Sequence, residues 1–224
     1  MSDPGASSGD SAERWLQLER RFAARHYDGA PESDATRHRV GTMPVLITAP
    51  HAVNHHRQGE PKVADRRTGG LAELLHEQTG ATSLAAASRV PDWSRWVDRN
   101  DDFTRLLRKE IERNGLILDL HGMGDHHGID VCIGTGGQRG TAIDAAVAAM
   151  ASAFAAFEVA VDEPFSALSP HTVTQFARRP AVGAVVQIEL SARLRDPEAQ
   201  PETAIAVASA LGSVLIALSA GDSM

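Results

Sequence analysis

Short β-branched apolar runs alternate with helix-patterned stretches along this chain, and that alternation leaves it few ways to fold. The runs are Val45–Ala49, Thr82–Ala86, Leu116–Leu120, Asp130–Ile133, Glu158–Val161 and Ala184–Leu190. Turn residues bound them, so they read as strands, and several are apolar enough to be buried on both faces. Helical patterns fall between them at 65–79, 101–113, 140–156 and 171–179. Two more flank the set, at 12–27 and 200–219, while the polar stretch 28–42 reads as a connection. Strands and helices in this order predict a three-layer α/β/α fold around a mostly parallel or mixed central sheet. A length of 224 residues suits one such domain, over 13–224, behind a disordered tail at residues 1–12 (MSDPGASSGDSA).

Charge and composition narrow the partners. The net charge of -7 repels polyanions, so nucleic acid and anionic membranes are poor partners and a small molecule is the expected one. A single cysteine, Cys132, allows no internal disulfide and fits a reducing compartment, so the expected location is cytoplasmic. The start has neither the basic nor the apolar segment of a signal peptide. The apolar run AIAVASALGSVLIALSA, Ala204–Ala220, is slightly short for a membrane span and rich in Ala and Ser. Pro201 and Glu202 suit a helix first turn and Gly221 its stop, so it reads as a buried C-terminal helix.

Histidine carries the chemical signal. Six of the ten histidines fall in two groups, His51, His55 and His56 in APHAVNHHR and His121, His126 and His127 in DLHGMGDHH. Each group begins where an apolar run ends, at VLITAPH and LILDLH. Ligands of open α/β sheets bind beyond the carboxyl ends of the strands, so two such strands can bring His51 and His121 together. Imidazole nitrogens plus a carboxylate form a donor set for zinc, with one position left for water. The metalloprotease pattern HEXXH does not apply, because Ala52 follows His51. His55, His56, His126 and His127 remain open between plain loop residues and groups that back the ligands or face substrate.

A third run, AVGAVVQIEL, is apolar yet ends in Glu189, with Ser191, Arg193 and Arg195 beyond. A carboxylate there is costly to bury unless it is paired or functional. Two readings stand: a general base whose proton affinity is raised by burial, or an ion pair with Arg193 or Arg195. Cys132 in DVCIGTG reads as a core residue. The glycine-rich GTGGQRG lacks the lysine of a P-loop and reads as a rim loop. Trp93 and Trp96 either wall a pocket or cap the sheet.

Three segments together resemble the N-formylglutamate amidohydrolase family, itself similar to zinc carboxypeptidases and aspartoacylase-type deacylases. They are APHAVNHHRQGEPKVADRRTG, LILDLHGM and VVQIELSARLR, within a resemblance spanning about Pro44 to Pro197. The resemblance implies a zinc-carboxypeptidase-like fold and a metal-dependent hydrolase of the amide bond in an N-acyl amino acid. It implies His51, Asp65 and His121 as ligands of Zn²⁺ or another divalent transition metal, with Glu60 or His55 as substitutes for Asp65. The His-x-x-Glu pattern of the carboxypeptidases is broken by Asn54. Glu189 matches the base that activates water. VDRNDD resembles a substrate-contacting segment and points to Arg99 and Asn100. Arg57, Arg99 or Arg193 would clamp a substrate carboxylate, and His126 would be a further substrate contact. The family's arginine stands three residues after the base; here Ala192 holds that position and Arg193 follows. Two other readings use the same residues: a carboxypeptidase-type peptidase, and a non-catalytic binding protein, against which the presence of Glu189 counts.

Overall fold

In the computed structural model, which describes residues 8–29, 34–88, 90–179 and 182–221, the apolar runs become neighbouring strands of one sheet. The strands are β1 (Thr36–Arg39), β2 (Met43–Ala49), β3 (His55–Arg57), β4 (Glu60–Lys62), β5 (Ala81–Ala86), β6 (Leu116–Gly122), β7 (Val131–Gly134), β8 (Val159–Val161) and β9 (Ala184–Leu190). The helices are α1 (Ser8–Tyr27), α2 (Thr68–Thr79), α3 (Asp102–Ile111), α4 (Thr141–Ala153), α5 (Val173–Ala177) and α6 (Pro201–Gly221). The main sheet has the order β1-β5-β2-β6-β9-β7-β8, and β3 and β4 form a separate hairpin. Its centre, β5-β2-β6-β9, is parallel throughout. β1 and β7 run antiparallel to their inner neighbours, and β8 is parallel to β7.

Burial follows from this order. Every residue of β5 and β9 is buried, which is why those segments carry no polar alternation. Helices α2, α4 and α6 lie on one face, with α1 packed outside α2 and α6, and α3 and α5 lie on the other. The three-layer, mostly parallel architecture expected from the sequence is the one observed. Among the described residues, Pro201–Ala220 is the one helix long and apolar enough to cross a membrane. Its Ala204, Val207, Ala208, Leu211 and Leu215 are buried in the core, where α6 meets α1, α2 and α4.

Several boundaries differ from the sequence reading. α1 begins at Ser8, so residues 8–12, expected in the tail, are helical and Ala12 is buried; residues 1–7 lie outside the described residues. The connection at 28–42 contains β1, whose sequence TRHR has no apolar pattern because it is an edge strand. Its arginines are spent on α2: Arg37 Nε lies 2.9 Å from Glu73 Oε1, and Arg39 lies 2.9 Å from Glu77 Oε1. The β3–β4 hairpin is polar too, and turns through Gln58 and Gly59, both at positive φ.

One contact fixes the start of α2, and with it the segment before it. Arg67, at the N-cap position, makes no side-chain cap bond, and Glu19 of α1 substitutes. Glu19 accepts from the backbone N–H of Arg67 at 2.7 Å and of Gly70 at 2.6 Å. Burial pushes the Glu19 pKa up to about 7 against the pull of those two N–H groups. Trp15 Nε1 donates to the Arg67 carbonyl at 2.9 Å. The helices approach so closely that a Cβ on Gly70 would stand 2.7 Å from Glu19 Oε2 and 2.9 Å from the Trp15 ring. We expect Gly70→Val to lower stability by about 1–3 kcal/mol through overpacking. Urea unfolding should show a lower midpoint at unchanged slope, and an unshifted midpoint would show that α1 does not clamp α2.

Candidate metal centre and active site

β2, β6 and β9 lie side by side and end at the same level. β2 runs into Pro50 and His51, β6 carries His121 one residue from its end, and β9 carries Glu189 likewise. The β6–β9 register sets His121 beside Glu189 and Asp119 beside Gln187. Because strand side chains alternate, all four project from the same face of the sheet.

Asp65 reaches this point from the segment ahead of α2. Its N–H donates to the His51 carbonyl at 2.8 Å, and its own carbonyl accepts from Thr68 Oγ1 at 2.6 Å. Both backbone groups are thereby engaged, and the carboxylate points between the two imidazoles. Asp65 Oδ2 lies 3.5 Å from His51 Nδ1 and 3.3 Å from His121 Nδ1. One donor atom from each of His51, Asp65 and His121 lies within 4.8 Å of the others, close enough to share one ion.

The rings are held from behind. His121 Nε2 lies 3.2 Å from Oδ1 of Asp119, which is fully buried. Asp119 also accepts from Thr48 Oγ1 at 2.8 Å and Thr174 Oγ1 at 3.3 Å. A carboxylate behind an imidazole fixes its tautomer and leaves the far nitrogen for a metal. His51 stacks on His55, with ring centroids 4.3 Å apart and planes 9° from parallel, and meets the edge of Trp93 at 5.3 Å.

Electrostatics separates these groups. Burial would raise Asp65, but hydrogen bonds and charge from His121 and His51 hold it well below the usual carboxylate range. Burial opposes charge on His121 as well, yet Asp119 and Asp65 raise it well above an ordinary imidazole. His51 is lowered by burial despite Asp65, and His55 falls to about 3 through burial and the neighbouring His51. Burial lifts Glu189 to about 7, with Asp65 and Asp119 adding to it while His121 and Arg195 oppose. Gln187 Nε2 donates to Glu189 Oε1 at 3.1 Å.

His51, Asp65, His121, Gln187 and Glu189 all line one open cleft, together with Arg57 and the segment Pro164–Ser169. Other residues singled out from the sequence lie elsewhere. Arg99 and Asn100 are exposed beyond the turn Trp96–Asp98 and do not line the cleft. Arg193 is held on the far side of its turn by Asp130, which accepts from its Nε at 2.8 Å. His126 is exposed, its ring tilted against that of His127 with centroids 4.2 Å apart, and it is His127 that lines the cleft. Glu60 is exposed in the hairpin, and His55 directs Nδ1 to the Val53 carbonyl, so neither joins Asp65 at the centre. The GTGGQRG loop does not line the cleft: the Gly136 N–H donates to the Ser166 carbonyl behind the cleft wall at 2.8 Å, and Gln138 bonds the backbone of Val185.

Arg195 has a structural place that the sequence did not reveal. Its guanidinium donates to the carbonyls of Leu190, Met123 and Arg66, tying the ends of β9 and β6 to the segment that carries Asp65. Gly122 makes room for it, since a Cβ there would stand 2.5 Å from the guanidinium carbon. Asp119 was also missed, although the signal existed: an acidic residue inside an apolar strand, two positions before a histidine and so on its face.

No known protein-family model matches the chain, and no curated protein matches it. Solved structures do share its fold. N-formylglutamate amidohydrolase from Ralstonia eutropha JMP134 superposes with a TM-score of 0.59 at 14% identity, over 84% of this chain and 97% of that one. A bacteriophage poly-gamma-glutamate hydrolase gives 0.53 at 16% identity, over 83% and 90%. The zinc-free apo form of YndL gives 0.50 at 15% identity, over 86% and 94%. At such identities the likeness is one of fold, and it is the fold that the sequence resemblance implied.

The Glu189 shift has a measurable consequence in metal-free protein. With a folded pKa near 7 against an ordinary 4.5, the folded state binds more protons than the unfolded one between those values. Glu189 therefore favours folding below about pH 4.5, and that contribution is lost as pH rises through about 7. Glu189→Gln removes the loss, so at pH 8 the metal-free variant should be the more stable by about 1–3 kcal/mol. Denaturant titrations at pH 4 and pH 8 measure this, and a difference independent of pH would exclude a raised Glu189.

Proposed function

We propose that this chain is a metal-dependent hydrolase that cleaves the amide bond of a small, carboxylate-bearing N-acyl amino acid in the cytoplasm. The observation that carries the reading is the meeting of His51, Asp65 and His121 donor atoms within 4.8 Å, beside a buried glutamate on the next strand. Similarity of fold to proteins named as an amidohydrolase and a hydrolase supports it.

The donor set fits a divalent transition metal. Two imidazole nitrogens and one carboxylate oxygen suit Zn²⁺ first and Mn²⁺, Fe²⁺ or Co²⁺ next, and a protein of similar fold has a form described as zinc-free. When bound, such an ion supplies a Lewis acid that polarises the amide carbonyl and makes water acidic enough to attack near neutral pH.

The remaining work falls to the chain itself. Asp119 keeps the His121 ring oriented, with Nε2 turned toward it and Nδ1 toward Asp65. Gln187 occupies Oε1 of Glu189, which leaves Oε2 to take a proton from the attacking water. The same carboxyl then passes that proton to the leaving nitrogen as the C–N bond breaks. Arg57, on the cleft wall, is the guanidinium available to a substrate carboxylate. Bond by bond, the water oxygen joins the acyl carbon as the C–N bond breaks, and both water protons end on the leaving nitrogen, giving a carboxylate and the ammonium form of the amino acid.

Two substitutions separate metal binding from proton transfer. Purified protein should carry about one divalent ion per chain, and His121→Ala should lose both the ion and turnover, by elemental analysis and by assay on N-formyl amino acids. Glu189→Gln should keep the ion yet lower kcat by about 10²–10⁴-fold. Full hydrolysis by a metal-stripped sample would sink the proposal.

A further inference from the structure

Arg57 reaches the cleft from an element that has little of its own to hold it. The β3–β4 hairpin stands outside the main sheet, and every residue from His56 to Lys62 is exposed. Its ladder consists of three residue pairs, His55 with Lys62, His56 with Pro61 and Arg57 with Glu60. Two strands of that length are marginal in water by themselves. Among the described residues none forms an ion pair or hydrogen bond with the Arg57 guanidinium, so the hairpin backbone decides where that charge stands.

One side chain ties down the tip of the hairpin. The Asp92 carboxylate accepts from the N–H of Gln58 at 3.0 Å and of Gly59 at 2.7 Å, the two turn residues at positive φ. Successive N–H groups in such a turn form a cradle for an anion, and here the chain supplies the anion itself. Asp92 is fixed in turn by the N–H of Ser94 at 2.9 Å and by Ser94 Oγ. Ser94 and the Gly59 N–H hold its carboxyl well below the usual carboxylate range, so the tie stays charged at any working pH. The next residue extends the link. The Trp93 N–H donates to the His56 carbonyl at 2.9 Å, and its buried ring lies edge to face with His51 at 5.3 Å. Asp92 and Trp93 thus join the hairpin on one side to a cation donor on the other.

We infer that Asp92 is a positioning residue: by clamping the hairpin tip it sets where Arg57 stands relative to the cation site, and so governs recognition of the substrate carboxylate. Charge balance leaves that task to Arg57. With a divalent ion bound, its two positive charges face the carboxyl groups of Asp65 and Glu189, and Arg57 is the one Arg or Lys among the described residues on the cleft wall. Asp92 does not line the cleft, so it acts through Arg57. The inference rests on the hydrolase reading, with Arg57 as the carboxylate partner, and adds what holds that partner in place.

The test has a kinetic arm and an exchange arm. With metal-loaded protein, Asp92→Ala should raise KM for N-formyl-L-alanine about tenfold with kcat within about twofold, the mark of lost binding and not of lost chemistry. The preference for that substrate over its C-terminal amide should shrink by about tenfold, as expected when a charge-assisted pair is misplaced. Arg57→Gln should erase the same preference, and adding Asp92→Ala to it should change neither constant further, because both act on one contact. Asp92→Asn keeps one oxygen for the turn and should fall between the wild type and Asp92→Ala. Metal content should stay the same in every variant. In Asp92→Ala the amides of Gln58 and Gly59 should exchange with solvent about tenfold faster, while those of β2 and β6 should not. An equal loss on acid and amide, or independent effects of the two substitutions, would overturn the inference and leave the hydrolase intact. If the wild type turns over no N-formyl amino acid, the hydrolase reading fails. Exchange at the tip and calorimetric binding of N-formyl-L-alanine then decide the clamp: faster exchange with weaker binding in Asp92→Ala upholds it, and no change in either overturns it.

Discussion

Parallel pairing of β6 with β9, in a register that sets His121 against Glu189 and Asp119 against Gln187, underlies every other feature of the site. Side chains alternate across a sheet, so a slip of β9 by one residue would turn Gln187 and Glu189 to the face opposite His121 and Asp119. Both strands are otherwise apolar, and a polar group buried in such a strand is tolerated only when it has a partner. The partners come from neighbouring elements: Thr48 on β2 and Thr174 on α5 for Asp119, and Gln187 on β9 itself for Glu189. Hydrophobic pairing thus sets the register, and the register sets the chemistry.

The third donor has no strand to hold it. Asp65 depends on a backbone bond to His51, on Thr68, and on the seating of α2 against α1 through Glu19 and Trp15. Arg195 adds a second tether, because its guanidinium reaches the carbonyls of Met123, Leu190 and Arg66 at once. An arginine with three carbonyl acceptors is committed to architecture, and Arg193 is committed to Asp130. Neither is placed like Arg57, which stands on the wall of the cleft.

Much of this was legible in the sequence because it is written in runs. VLITAPH and LILDLH announce buried parallel strands ending in imidazole, and AVVQIEL announces a buried strand ending in an acid. Those patterns were enough for the fold class and for His51, His121 and Glu189, while Asp65 came only from the family resemblance. What stayed hidden has a common cause. β1 and the β3–β4 hairpin are polar because they lie at an edge or outside the sheet, so no periodicity marks them. Arg99, Asn100 and His126 sit in loops, where nearness in sequence to a strand end does not fix direction. The buried cluster of Trp93 and Trp96 behind His51 depends on tertiary contacts with His51 and His171, which no local pattern encodes.

The strand order carries a consequence for how the molecule comes into being. β9 comes last in sequence among the described strands, yet it lies in the interior of the sheet, between β6 and β7. Until it inserts, β6 has an open edge and β7 has no inner neighbour, so the nascent chain holds unsatisfied backbone along both. Pairings of such long range form late, because chain closure must come before any reward. His51, Asp65 and His121 all precede residue 122, whereas Thr174 behind Asp119, Glu189 on β9 and the Arg195 tether follow it, so the site is complete only once that strand and the turn after it are in place.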